Sequence, residues 1–167
     1  ITALQRYGTM SFSDVAAASI RYARDGFSMH YVMRDYIVAH EDTYSKWPSN
    51  AEIYLPAGRV PNVGENFIQT DLARSIQYMV DEEKAAADKG RDAGLKAARD
   101  AFYKGDLAQA IVKFHAENEG WVTEEDLAGY TSAIEAPVRM QFRGMNVYTC
   151  DAWCQGPVMQ QMISLLK

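Results

Sequence analysis

Gly120-Trp121-Val122-Thr123-Glu124-Glu125-Asp126-Leu127-Ala128-Gly129-Tyr130 is the stretch on which the reading of the fold turns. Thr123 precedes three acids, so its hydroxyl can accept from the orphan N–H groups of a helix beginning at Glu124. Glu124, Glu125 and Asp126 would then oppose the positive end of the helix dipole. Upstream of this start the periodicity is helical almost throughout. Asp106 opens a helix carrying Leu107, Ala110, Ile111 and Phe114, and Gly105 ends the one before it, with Leu95, Ala98 and Phe102 on its face. From Asp81 to Lys96 the composition turns to charge, Ala and Gly. The 81–96 stretch reads as a polar insert, a solvated helix or an exposed connection. Thr70 is expected to cap a helix bearing Leu72, Ile76, Met79 and Val80, with Asp71 in its first turn.

Nearer the N-terminus, Pro56, Gly58, Pro61 and Gly64 mark 48–64 as a loop with a short extended piece, Glu52-Ile53-Tyr54-Leu55. Before it a helix is expected from Met29 to Trp47, stopped by Pro48. Another runs from a Ser11 or Ser13 cap to Asp25, with Gly26 just beyond it. Thr2 to Tyr7 is a short helix ahead of Gly8. Downstream, Val138, Met140 and Phe142 alternate with Arg139 and Gln141, and alternation resumes at Met145 and Val147 after Arg143-Gly144. That is a β-hairpin. Gly156 and Pro157 open a last helix carrying Val158, Met159, Met162, Ile163, Leu165 and Leu166. The fold class is therefore mainly α with one β-hairpin. Residues 1–130 form a helical layer and residues 131–167 hold the hairpin and the following helix. Both ends read as cut, since the first helix lacks an N-cap and the last lacks a terminator.

The 167 residues carry 17 basic and 22 acidic side chains, a net charge of −5, which argues against nucleic acid as a partner. Apolar residues make up 48% and charged residues 23%, the mix of a globular domain rather than a disordered tail. No apolar run reaches the roughly 18 residues of a membrane span. Cys150 and Cys154 are too few for a disulfide framework or a zinc site and read as free thiols, able to approach each other if Cys154 lies near a turn.

No complete active site emerges from the residues alone. His30, His40 and His115 are scattered and read as solvated or core-edge side chains rather than metal ligands. Asp81-Glu82-Glu83 and Glu124-Glu125-Asp126 read as a solvated face and a helix start, since adjacent acids do not face each other across a cleft. Gly58 to Gly64 lacks phosphate-loop spacing. Tyr22, Tyr31, Tyr36, Tyr44 and Tyr54 read as packing residues with a hydroxyl at the surface. There is no G-x-S-x-G, and neither cysteine neighbours a histidine.

Taken together, however, certain stretches resemble the large subunit of γ-glutamyltranspeptidase (γ-glutamyltransferase). They are Arg6-Tyr7-Gly8-Thr9-Met10, Ala23-Arg24-Asp25-Gly26-Phe27, Ala101-Phe102-Tyr103-Lys104-Gly105-Asp106-Leu107-Ala108 and the Gly120–Tyr130 stretch, in the family's order. The resemblance implies a helical segment of an αββα N-terminal-nucleophile hydrolase fold, with the hairpin leading into its central sheets. It implies a precursor that cleaves itself into two subunits, and a new N-terminal Thr that attacks the γ-glutamyl amide of glutathione-type substrates with its own α-amine as base. Backbone N–H groups stabilise the oxyanion, and the acyl group passes to water or to an amino acid or peptide.

By the same resemblance that Thr lies downstream of Lys167, and the Arg that grips the substrate α-carboxylate lies before Ile1. No catalytic, cofactor-binding or metal-binding residue is therefore assigned here, and no cofactor is implied. The implied partners are the small subunit and the rest of the large subunit, with self-association of the fragment as a further expectation. Exported bacterial members suggest a periplasmic or secreted location. The chain departs from the family where a Pro-rich turn and Ser-Ser-Gly-Gly would follow the hairpin. Here Asp151-Ala152-Trp153-Cys154-Gln155-Gly156-Pro157 stands instead. This departure and the 81–96 insert leave a related amidase or acylase of divergent specificity as an alternative. A free-standing helical binding or interaction module is the rival from another class.

Overall fold

A computed structural model describes residues 1–166, which fall into two units, Ile1–Tyr130 and a second that begins at Thr131. The first unit is helical. Helix α1 (Thr2–Tyr7) is followed by α2 (Phe12–Asp25), where Ser11 and Asp14 form a reciprocal capping box. Strand β1 (Phe27–Ser28) pairs antiparallel with β2 (Asn66–Phe67), a ladder too short for any alternation to announce it.

Between those strands the structure departs from the expected long helix and loop. The 29–47 helix is broken into α3 (Tyr31–Ala39) and α4 (Glu41–Ser45). The break has a local cause at His40, whose Nδ1 lies 2.9 Å from the Tyr36 carbonyl oxygen. The ring thus takes the acceptor that its own N–H would use in a continuing helix, and that N–H turns to Ile37 instead. Pro48 starts a helix rather than ending one. It occupies the first turn of α5 (Pro48–Tyr54), where its missing N–H costs nothing. Glu52-Ile53-Tyr54-Leu55 is therefore not extended, and a 3-10 turn at Pro56–Gly58 follows. This segment closes a core of Met29, Ile37, Leu55 and Phe67, against which Phe27, Tyr44 and Tyr54 pack.

Helix α6 (Thr70–Ala85) begins at Thr70 itself, with Gln69 before it and no side-chain cap, contrary to the expected Thr70 cap. It packs against both α2 and α7 (Arg91–Tyr103). The buried residues on these three helices are mostly small, Ala16, Ala23, Ala73, Ala98 and Ala101, with Val80 and Leu95 as the larger members. Small side chains let helix axes approach closely. The 81–96 stretch is solvated along its connection, Ala87 to Gly90, but not throughout. Glu83, Gly94 and Leu95 are buried in the α6–α7 contact. A Cβ on Gly94 would stand 3.1 Å from the Glu83 carbonyl oxygen, so glycine sets the spacing of the two helices. Helices α8 (Asp106–Glu117) and α9 (Glu124–Gly129) complete the unit, and Thr123 and Asp126 form the capping box of α9.

In the second unit β3 (Val138–Phe142) and β4 (Met145–Thr149) form the hairpin in the register Val138↔Thr149 to Phe142↔Met145. Arg143 and Gly144 both have positive φ (48° and 80°), which a tight two-residue turn with the twist of the strands requires. Helix α10 (Gly156–Ser164) packs on both strands.

Candidate functional site

The buried carboxylate Glu83 lies at the junction of the first unit. Its Oε1 accepts from the Phe12 N–H at 2.6 Å and its Oε2 from the Ser13 N–H at 2.7 Å. Those N–H groups open α2, where intrahelical acceptors are lacking and the dipole favours an anion. Beside this junction is a cleft of about 430 Å³ whose lining includes Thr9, Ser11, Ser13, Glu83, Lys84 and Arg91. Its polar groups are largely committed to the fold. The Ser11 hydroxyl donates to Asp14 at 2.6 Å, and both Glu83 oxygens hold α2. Arg91 Nη2 donates to the carbonyls of Leu4 (2.7 Å) and Gly8 (2.8 Å), and Nε donates to that of Met10 (3.1 Å). Arg91 thus holds the end of α1 by the fixed fork of its guanidinium. The cleft is built as a helix junction, and its one hydroxyl–carboxylate pair among the described contacts, Ser11 with Asp14, is the capping box of α2.

The histidines do not converge. His30 caps α3 by accepting from the Met33 N–H at 3.3 Å, and His40 stacks on Tyr36 with ring centroids 4.3 Å apart. His115 Nδ1 is buried without a partner against Gly120, where a Cβ would stand 2.1 Å away. Among the described residues no group of three His, Cys, Asp or Glu side chains is placed to hold a metal ion. The tyrosines divide: Tyr44 and Tyr54 pack against the core with ring centroids 4.8 Å apart and planes tilted by 47°, whereas Tyr22, Tyr31 and Tyr36 are exposed.

The acids of α9 serve the helix start. Asp126 accepts from the Thr123 N–H at 2.9 Å, which with the Thr123 hydroxyl lowers its pKa. In the Gly58–Gly64 region the side chains form a clamp rather than a cradle. Arg59 grips Glu65 through two N–H groups at 2.9 and 3.0 Å, and the Asn62 backbone and side-chain N–H groups add bonds at 3.0 and 2.9 Å. This brings the Glu65 pKa down to about 2.

In the second unit Gln160, buried on α10, donates through Nε2 to the Val138 carbonyl (3.0 Å) and the Thr149 hydroxyl (2.9 Å). It ties the helix to the open end of the hairpin. Gly156 allows the same approach, since a Cβ there would stand 1.9 Å from the Cys150 carbonyl oxygen. The turn between strand and helix carries two free cysteines, Cys150 half-buried and Cys154 exposed. Sequence reasoning missed Glu83, whose acidic neighbours hide a capping role across about 70 residues of chain.

The helices, the hairpin and its docked helix name no activity by themselves, and comparison with known proteins supplies the family. The family described as gamma-glutamyltranspeptidase matches residues 1–167, and the chain belongs to that family. It is 31% identical over 153 residues to the glutathione hydrolase-like YwrD proenzyme of Bacillus subtilis (strain 168), across 92% of this chain and 26% of that protein. It is 27% identical over 167 residues to the glutathione hydrolase proenzyme of Escherichia coli (strain K12), across 99% of this chain and 26% of that one. The crystal structure of Helicobacter pylori gamma-glutamyltranspeptidase superposes with a TM-score of 0.84 at 22% identity, across 98% of this chain and 43% of that chain. The fold is thus that of a segment of an N-terminal-nucleophile hydrolase. The chain spans about a quarter of the length of these curated relatives.

Proposed function

We propose that the chain is a large-subunit segment of an enzyme that transfers or hydrolyses γ-glutamyl groups of glutathione-type substrates. The observation that carries this reading is the family match across the whole chain. The nucleophile is the N-terminal Thr of a small subunit released by self-cleavage of a precursor, in keeping with relatives named as proenzymes. That Thr attacks the γ-glutamyl carbonyl while its α-amine takes the proton, and the acyl-enzyme is resolved by water or an amine. The residues described here hold no part of that proton transfer. Their role is to build the helical layer and to present the hairpin and α10 to the remainder of the large subunit and to the small subunit.

The test is turnover of a γ-glutamyl anilide. The 167-residue chain alone is expected to release no aniline. The precursor encoded by the uninterrupted gene is expected to cleave itself and turn over, and replacing its new N-terminal Thr by Ala is expected to stop both. Turnover by the 167-residue chain, or an uncleaved precursor that retains full activity, would overturn the reading.

A further inference from the structure

We propose that Tyr103 and Tyr130 are a modification site, two phenols stacked so that a one-electron oxidant joins them as dityrosine. The inference is independent of the γ-glutamyl reading, because it uses side chains that the reading leaves idle.

Tyr103 ends α7 and Tyr130 directly follows α9. Their ring centroids are 5.3 Å apart and the ring planes differ by only 16°. Parallel rings in full overlap rest about 3.5–4 Å apart, so the larger separation means rings offset along their planes. That offset sets ring edge against ring edge, and the edges carry the carbons ortho to the hydroxyl, where phenoxyl radicals couple. Arg99 holds both partners. Its guanidinium carbon lies 4.7 Å from the Tyr103 ring centroid, a cation over a π face, and its Nη2 donates to the Tyr130 carbonyl. Phe102 meets Tyr103 edge-on, with centroids 4.9 Å apart. Upstream of Tyr130, the Thr123–Asp126 capping box fixes the start of α9.

Comparison with the other tyrosines shows why this pair is the one that couples. Tyr130 is 50% exposed and Tyr103 half-buried, so an oxidant reaches the stack at Tyr130. Tyr44 and Tyr54 have closer centroids, at 4.8 Å, but their planes are tilted by 47° and both pack against the core. Tyr22, Tyr31 and Tyr36 are exposed, and among the described residues none of them is stacked on another tyrosine. Only Tyr103 and Tyr130 combine access with near-parallel contact, and a radical formed on one finds the other already in place.

The chemistry balances with hydrogen peroxide and a peroxidase as the oxidant. Each phenol gives up one electron and its hydroxyl proton and becomes a phenoxyl radical. The two radicals join by a carbon–carbon bond between ortho positions. Each ring regains aromaticity as its ortho hydrogen moves to oxygen. Two hydrogens leave the protein, and one peroxide is reduced to two waters. The product closes a loop from the end of α7 to the end of α9, so oxidation locks α9 onto the helical layer.

Peroxidase with hydrogen peroxide is the probe, applied to the full-length protein that contains this segment, which is then unfolded and cut with trypsin. Cleavage leaves Tyr103 in Asp100–Lys104 and Tyr130 in Phe114–Arg139. The parent protein is expected to yield these two peptides joined, two hydrogens lighter than their summed mass and with dityrosine fluorescence. Tyr103→Phe and Tyr130→Phe are each expected to abolish the joined species. Arg99→Ala is expected to lower its yield at least about 5-fold, because the stack is then no longer held in contact. Oxidation in urea should lower the yield by at least as much, which separates the folded stack from intrinsic phenol chemistry. No joined species from the parent, equal yields folded and in urea, or an undiminished yield from Arg99→Ala would overturn the proposal.

Discussion

Replacing Glu83 with Gln removes a charge and leaves the side-chain outline unchanged, and so isolates what the carboxylate does. In the parent both oxygens accept backbone N–H groups, from Phe12 at 2.6 Å and Ser13 at 2.7 Å. Hydrogen bonds to a charged group contribute about 1.5–3 kcal/mol each, and a donor left buried and unpaired costs about 1–3 kcal/mol. Glutamine keeps one carbonyl acceptor, at neutral strength, and turns an NH₂ group toward the other donor. The anion opposite the start of α2 is lost as well, about 0.3–1 kcal/mol. Some of this is recovered because an amide is less costly to bury than a carboxylate. The net expectation is a loss of about 2–4 kcal/mol, or roughly 5–15 °C in Tm for a chain of this size. Urea titration gives the stability, and amide hydrogen exchange reads Phe12 and Ser13 directly. Glu83→Gln should speed exchange at those amides well beyond its effect on α8. A variant within about 0.5 kcal/mol of the parent, with Phe12 and Ser13 equally protected, would show that the carboxylate does not hold α2.

Gly94→Ala, normally a gain of up to about 1 kcal/mol in a helix, is expected to lose about 1 kcal/mol because its methyl meets the backbone of Glu83; urea midpoints decide the sign. Leu95→Ala empties a fully buried position on α7 and should cost about 2–5 kcal/mol by the same titration. Glu65, lowered from an ordinary 4.5 to about 2 first by Arg59 and then by Asn62, supports the folded loop fully above about pH 4.5 and loses that support as the pH falls through about 2. An NMR titration of its carboxyl carbon should find the depressed value, and Arg59→Ala should move it back toward 4.5. In the second unit Gly156→Ala places a methyl 1.9 Å from the Cys150 carbonyl, so α10 should loosen from the hairpin, seen as faster exchange at the Gln160 side-chain amide.

The elements that sequence disclosed are those with self-contained signals. The Ser11 and Thr123 capping boxes, the alternating hairpin and the Gly-Pro start of α10 are each written within a few neighbouring residues. What it misplaced depends on distant partners or on a side chain that acts two ways. Pro48 both ends and begins helices, and only the packing of Leu55 on the Met29–Phe67 core selects the second role. His40 breaks a helix by a side-chain bond to Tyr36 that no periodicity records. Glu83 looks like any surface acid until α2 supplies its donors. His30, His40 and His115 could be read one by one but not as a site, since side chains are brought together by tertiary structure rather than by spacing.

The meeting of Glu83 and Gly94 couples the spacing of α6 and α7 to the anchoring of a third helix, α2. A larger residue at 94 would push α6 outward and carry the carboxylate away from the start of α2. A small residue at 94 thus guards an acceptor for the start of α2 that it never touches itself.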